Sequence, residues 1–479
     1  MTAVSSGPAG AEPSALDVEQ HTTEPIPLDE RHGSARQLFG IWFGINMLPL
    51  TLVTGALATA ALGLPFWSAL LAILIGNVVG GIAMALHAAQ GPRMGVPQML
   101  QARAQFGFYG AALITVLAVI MYLGFFASNL VVGAQALHQA LPGVSIDVGI
   151  VVAAALSVLV GVFGYNLLRR AMGAMAILVG LLTVVCFVVI AIRGLPAGTL
   201  SKGSYTAAGF FGMVAIAAVW QIAFAPYVSD YSRYMPAETG IRGAFWGTYL
   251  GCVLGAILLM TLGALAGIGA GENALVGLDA LLGGFGVVAM LGMAAANGAM
   301  NAPNVYCGVL CTLTAGETVA ARWRSGARSR VALTVIYGVA ASVAAVLGKD
   351  NFLTNFENFI LFLLYVLIPW SAINLVDYYL IRHGDYEVGE LFRADGGRYG
   401  RLNWVALGVY VVGILVQLPF MVTSLYSGPL SDDLHDVDIA WIVGLVVSGG
   451  LYYAIARAGA GRAGDGVELT EPEAELVGR

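Results

Sequence analysis

Charge is what this sequence has least of. Asp, Glu, Lys and Arg make up 10% of its 479 residues, where a soluble domain carries about 25%. So few charges cannot cover a water-facing surface, and 58% of the residues are hydrophobic. The chain therefore reads as an integral membrane protein with several spans. Cysteine and histidine are also scarce, at 4 and 6 residues. Cys307 and Cys311 stand four apart without a zinc or redox spacing, and they read as small wall residues like Cys186 and Cys252. A membrane-embedded enzyme needs convergent His, Asp, Glu, Cys or Ser groups inside its spans. Here His87 and His138 fall at span ends and little else is on offer. No Gly-x₄-Gly-Lys-Ser/Thr loop occurs, which argues against ATP as the drive. No basic domain exists to bind nucleic acid, and the formal net charge of −6 sits in loops and tails. No basic segment precedes an apolar core at the N-terminus, so no cleaved signal peptide is expected.

What is present is a series of long apolar runs. A membrane helix needs roughly 20 apolar residues. By that measure twelve spans are expected, at about 36–62, 67–89, 109–138, 148–168, 172–192, 208–228, 243–269, 283–314, 331–347, 352–381, 403–426 and 439–456. Residues 1–34 are polar and aperiodic and read as a disordered cytoplasmic tail. Residues 35–456 form the membrane domain and 457–479 a second cytoplasmic tail. With the N-terminus inside and twelve alternating spans, 19 of the 22 basic residues fall on the inner side. Arg193, Lys202 and Lys349 alone fall outside. That asymmetry supports both the count and an inner-membrane protein with both termini cytoplasmic.

Three spans are flawed. The first carries Gly44, Asn46 and Pro49; the sixth, Trp220, Gln221 and Pro226; the eighth, Asn297, Asn301, Pro303 and Asn304. Irregular backbone is tolerated in a bilayer only where it is buried or lines a cavity. One Pro or Gly marks a packing kink as readily as a site. Spans one and six, however, open two successive groups of five, and secondary transporters with inverted repeats place broken helices in corresponding positions. The sixth span continues into a polar knot, Ser229-Asp230-Tyr231-Ser232-Arg233-Tyr234. Asp230 and Arg233, three residues apart, read as an inner-end ion pair, with an inner gate or proton-coupling site as the alternative. A channel would call for continuous pore-lining helices instead.

These pieces carry a family resemblance. APYVSDYSRYMP in the sixth span resembles the signature of the nucleobase:cation symporter family of purine, cytosine and hydantoin permeases. IWFGINM, YLGFFASN, ANGAMNAPNVYCGVL and LIPWSAINLVDYYLIRHGDY are similar to that family's first, third, eighth and tenth helices. The resemblance implies an all-α LeuT-type fold working by alternating access. It has two inverted repeats of five helices (about 36–192 and 208–381) plus two extra helices (about 403–456). It also implies that a planar heterocycle is sandwiched between Phe125 and Trp220 and contacted by the amides of Asn129, Asn297 and Asn301. The family's helix-three aromatic is often Trp; Phe125 keeps a stacking face and loses the indole donor.

The chemistry suits these residue types. Stacking on an aromatic is worth about 1–3 kcal/mol per base and is blind to identity. Identity must come from the edges, and an amide carries both an acceptor and a donor. Gln221 joins the expected pocket as the neighbour of Trp220, about 100° away on the helix. The plainer readings are interhelical hydrogen bonds for the asparagines and packing for Trp220. Sodium-coupled members of the fold use hydroxyls on the eighth helix, where this chain has Ala295 and Ala296. A proton is therefore favoured over sodium as the co-transported ion. Gly44, Asn46 and Glu357 are the candidate coupling residues. Glu357, the acid well inside a span, reads equally as a snorkelling interfacial carboxylate. The expectation is a symporter importing cytosine or a purine, with no cofactor or protein partner. Hydantoin, allantoin, uracil, thiamine and pyridoxine remain open.

Overall fold

The computed structural model describes residues 24–163, 165–238, 240–271, 273–320 and 326–464. These residues form helices and connecting turns, with a lone antiparallel bridge between Val422 and Ser427. The first half contains α1 (Ala35–Ile45), α2 (Pro49–Ala60), α3 (Phe66–Ala88), α4 (Gly91–Met94), α5 (Gln98–Phe106), α6 (Gly110–Ala140), α7 (Ile146–Phe163) and α8 (Tyr165–Arg193). The second contains α9 (Ala207–Ile222), α10 (Val228–Ser232), α11 (Gly240–Ala266), α12 (Ala274–Leu282), α13 (Gly286–Met300), α14 (Ala302–Val319), α15 (Ala327–Gly348) and α16 (Phe352–Val376). Two further helices, α17 (Trp404–Leu415) and α18 (Ala440–Gly464), follow.

Among the described residues, nine helical segments are long and apolar enough to cross a membrane, and the bent pair α1–α2 makes a tenth. Shorter apolar helices, Ile146–Val162 and Trp404–Phe420, stand where the fourth and eleventh spans are expected. The sequence reading does not foresee α4, α5 or α12. All three are short, and α5 is too polar for a hydropathy criterion: Gln98, Gln101, Arg103 and Gln105 lie on it, all buried.

Each expected break has a local cause. Pro49 disfavours helix at the preceding residue. Leu48 is accordingly extended (φ −107°, ψ 144°), and α1 and α2 meet at 61°. In the sixth span α9 stops at Ile222, and a short turn containing Pro226 leads into α10. In the eighth, Asn301 separates α13 from α14, with Pro303 in the first turn of α14.

The halves interlock: α3 packs along α9, and α1 and α2 pack along α11. The α2–α11 contact is backbone on backbone. A Cβ on Gly263 would stand 1.8 Å from the Leu52 carbonyl oxygen, and one on Gly55 2.1 Å from that of Met260. Small residues permit this closeness in membrane helices. Gly263→Ala is therefore expected to cost about 1–3 kcal/mol through overpacking. Melting of the detergent-purified protein should fall, while Gly408→Ala, with nothing within 4 Å of its Cβ, should leave it unchanged.

The N-terminal expectation needs correcting in part. Residues 1–23 and 465–479 lie outside the described residues, but 24–34 do not form a free tail. Ile26 is buried and donates its N–H to the Gly95 carbonyl (3.0 Å). Arg31 bonds the carbonyls of Ile26 (2.9 Å) and Pro92 (2.7 Å). The Gly33 N–H reaches the Tyr234 carbonyl (2.8 Å). Backbone acceptors on α4 and beyond α10 thus hold a strap that composition alone marks as disordered. Ser34 and Gln37 then form a capping box that starts α1.

Candidate functional site

The break in the first span and the end of α9 meet through side chains. Asn46 at the break is fully buried. Its amide NH₂ bonds the Trp42 carbonyl (2.9 Å) and the Cys252 sulfur (3.0 Å), and its Oδ1 accepts the Trp220 indole N–H (2.8 Å). Asn46, a candidate for cation coupling, thus orients Trp220. Gly44 serves close packing, since a Cβ there would lie 2.7 Å from that of Ala176 on α8.

Trp220 meets Phe125 of α6 edge to face, with centroids 5.9 Å apart and planes at 89°. The two rings expected to flank a heterocycle are therefore brought together, but in this conformation no gap separates them. Phe125 is half-buried, and its other side touches Phe359 of α16 at 5.3 Å. A Cβ on Gly124 would stand 2.2 Å from the Phe359 ring, so Gly124 makes its seat. Phe359, an apolar ring in an apolar helix, carries no one-dimensional signal, unlike Glu357, two positions earlier and also half-buried.

From Trp220 towards α10 the space is filled by aromatics. Phe224 lies 5.9 Å from Trp220 and 5.9 Å from Tyr227; Trp42 packs on Phe224, Tyr227 and Tyr231 at 5.4–5.8 Å. Tyr122 of α6 joins Tyr227 at 5.2 Å. The polar knot lies next to this plug, with Ser229, Tyr231, Ser232 and Arg233 buried and Asp230 and Tyr234 half-buried. Ser229 donates to Gln98 Oε1 (2.6 Å), Ser232 to the Ala88 carbonyl (2.7 Å), and Asp230 accepts the Gln98 N–H (2.9 Å). Asp230 thus satisfies a free N–H at the start of α5. Arg233 is buried beside it, and a small cavity between α10 and α14 is lined by Asp230, Arg233, Tyr306 and Cys307, among others. On α5, Arg103 bonds the Leu391 carbonyl (3.0 Å) and the Thr318 hydroxyl (2.8 Å). Burial lowers the Arg103 guanidinium to about 10, with Glu317 pulling the other way.

The remaining amides separate into two groups. Gln221 turns away from the α6 asparagine: its NH₂ bonds Asn77 Oδ1 on α3 (2.6 Å) and the Cys252 carbonyl (3.4 Å). Asn129, Asn297 and Asn301 line the seam between α6 and the α13–α14 break. Asn129 donates to the Phe125 carbonyl (2.9 Å), Asn297 to the Asn129 carbonyl (3.0 Å) and Asn301 to the Phe126 carbonyl (3.1 Å). A carbonyl only accepts, so each NH₂ must face it. The oxygen of Asn301 is used by Asn304 (2.9 Å). Those of Asn129 and Asn297 are buried without a partner.

A family model described as permease for cytosine/purines, uracil, thiamine, allantoin matches residues 25–444. The chain belongs to this permease family. A putative purine-cytosine permease of Bacillus subtilis, YxlA, is 38% identical to it over 447 residues, covering 92% of this chain and 96% of the relative. The purine-cytosine permease fcyB of Emericella nidulans is 26% identical, covering 92% and 88%. Among solved structures, the nucleobase-cation-symport-1 transporter Mhp1, closed with bromovinylhydantoin bound, superposes with a TM-score of 0.74 at 19% identity. That match covers 92% of this permease and 95% of Mhp1. A Na⁺-coupled sialic acid symporter follows at 0.60 and 12%. The fold of this permease is thus the LeuT-type transporter fold, and its family consists of transporters, not enzymes.

The structure adds a second buried centre that the sequence reading misses. Asp377, at the end of α16, accepts from Tyr386 (2.7 Å), Tyr452 (2.9 Å), Gln105 (3.2 Å) and Arg382 (3.1 Å). Asn374, one turn earlier, accepts from Gln90 (2.7 Å). His87, placed by sequence at a span end, is buried and stacks on Trp370 at 5.0 Å. The available signal was the polar spacing Asn374, Asp377 within an apolar helix.

Proposed function

We propose that this permease is a proton-coupled importer of a nucleobase that presents an exocyclic amine, cytosine or an amino-bearing purine, at the inner membrane with both termini cytoplasmic. One observation carries the substrate reading. The Trp220 indole N–H and the NH₂ groups of Asn129 and Asn297 are spent on the protein, leaving the oxygens of Asn129 and Asn297 as buried acceptors along α6. A buried polar atom left unpaired costs about 1–3 kcal/mol. A solute that brings an exocyclic amine to that seam relieves the cost; one with a carbonyl at the same position does not.

Entry requires Phe125 or Trp220 to turn from edge contact so that a flat ring can lie against them. Phe359 stands over this place from the outer half of α16. Purine-cytosine permeases among the relatives agree with the substrate class. Mhp1, whose structure holds a hydantoin derivative, keeps hydantoins as the second reading. Ala295 and Ala296 bring no hydroxyl to the eighth span for sodium, which favours the proton. Glu357, half-buried near Phe359, is the carboxylate proposed to carry it.

Uptake into transport-deficient cells tests this with labelled cytosine, adenine, uracil, hypoxanthine and hydantoin, with and without sodium and with a proton uncoupler. Cytosine and adenine should be taken up at least about tenfold better than their oxo counterparts, which corresponds to about 1.4 kcal/mol. The uncoupler should abolish uptake and sodium should have no effect. Sodium-dependent uptake that survives the uncoupler sinks the proton reading; equal uptake of cytosine and uracil sinks the donor-edge reading.

A further inference from the structure

Helix α16 is continuous from Phe352 to Val376 but contains Pro369. Proline has no N–H, so the carbonyl four residues earlier loses its helical partner. That carbonyl belongs to Tyr365, and it does not stay empty. Gln417, just beyond the end of α17 and fully buried, donates its Nε2 to it at 2.8 Å. The same Nε2 bonds the Gly413 carbonyl at 2.8 Å. Both partners are carbonyls, so the amide orientation is not in question.

The surroundings are shaped for this contact. A Cβ on Gly413 would stand 2.9 Å from the Pro369 Cβ and 2.0 Å from the Ser448 hydroxyl. A Cβ on Gly444 of α18 would stand 2.5 Å from the Gln417 amide carbon. Two glycines on two helices thus leave room for the proline ring and for the amide that compensates it. Tyr410 of α17 adds a bond to the neighbouring Val366 carbonyl (3.1 Å). The Tyr365 hydroxyl bonds Asp438, whose other oxygen accepts the Ala440 N–H at the start of α18 (2.9 Å).

Pro369 divides α16 into two parts with different attachments. Below it, Trp370, Asn374 and Asp377 are tied to α3, α5 and α18. Above it, Phe359 lies over Phe125. We propose that Gln417 is a positioning residue for transport. It supplies the hydrogen bond that Pro369 withholds from Tyr365, and so holds the outer half of α16 over the aromatic pair while the inner half stays fixed. This rests on reading Phe125 and Trp220 as the solute site. It gives α17 and α18 a mechanical role as the bearing of that lever.

The test needs no solute, so it is readable even if uptake of every heterocycle fails. The four native cysteines are buried. Phe359→Cys therefore serves as a reporter for a membrane-impermeant maleimide added from outside, at full chain length in the native membrane. Gln417→Met keeps the length of the side chain and removes the donor. It should accelerate labelling by about tenfold, the size of a lost buried hydrogen bond. Pro369→Ala restores the missing N–H, so in that background Gln417→Met should change labelling by less than about twofold. Tyr410→Phe should also change it by less than about twofold, because Val366 retains the N–H of Trp370 four residues on.

Three results overturn the proposal: no acceleration in Gln417→Met, the same acceleration with and without Pro369, or an equal effect from Tyr410→Phe. Acceleration accompanied by labelling of the native cysteines marks unfolding and also overturns it. The Tyr410 comparison decides the matter if Pro369→Ala is not produced.

Discussion

Trp220→Ala is expected to weaken every heterocycle the permease accepts, by about 1–3 kcal/mol, the worth of one stacked base. The loss should not depend on which base is offered, because a π-face does not read edges. A second effect comes from inside the protein. Trp220 donates to Asn46 Oδ1 at 2.8 Å, and Asn46 sits at the break between α1 and α2. Removing the indole leaves that oxygen buried and unpaired, at a further cost of about 1–3 kcal/mol. Trp220→Phe separates the two: stacking stays, the Asn46 bond goes. Binding measured by displacement of a labelled base should fall strongly in Trp220→Ala and only in part in Trp220→Phe. Normal transport by Trp220→Ala would mean that the aromatic pair is not the solute site.

Asn297→Ala is expected to change the order of substrates rather than lower all of them together. The Asn297 oxygen is buried without a partner, and the proposed function has it accept from a solute. Its loss should cost amino-bearing bases about tenfold in apparent affinity, or about 1.4 kcal/mol, and oxo bases much less. The variant also frees the Asn129 carbonyl, which Asn297 now occupies at 3.0 Å, so total uptake will drop somewhat. Asn301→Ala provides the contrast. Both ends of the Asn301 amide are engaged, to Phe126 and from Asn304. Its removal should lower the melting temperature and maximal uptake while leaving the ratio of cytosine to uracil unchanged. A shifted ratio in Asn301→Ala with none in Asn297→Ala would reverse the assignment of the two asparagines.

Neither asparagine could be told from the other in one dimension. They sit four apart on one apolar helix, in the same kind of neighbourhood, and both fit interhelical bonding and solute contact. Both donate to α6 carbonyls; what separates them is Asn304, which occupies the oxygen of Asn301 and leaves that of Asn297 without a partner. Gln221 shows the reverse case. Adjacency to Trp220 suggests a shared pocket, but successive helical positions point about 100° apart, and the amide goes to Asn77 on α3. Glu357 draws attention as a lone acid, whereas Phe359 beside it makes the contact with Phe125.

The sequence by itself determined the class of protein, most of its long apolar helices and the places where three of them break. These follow from chemistry each residue carries alone: scarce charge, apolar runs, the effect of proline on its own helix. It also carried enough of the helix-six signature, Val219 to Pro236, for the family to be named. Tertiary structure alone decided what the polar residues do. It turned Asn46 into the support of Trp220 and bonded Ser229, Asp230 and Ser232 to α3 and α5. It gathered four donors around Asp377, and it brought Gln417 to the carbonyl that Pro369 leaves bare. The physical reason is the same in each instance. A buried polar group must find a partner, and where its own helix does not supply one that partner comes from another segment of the chain.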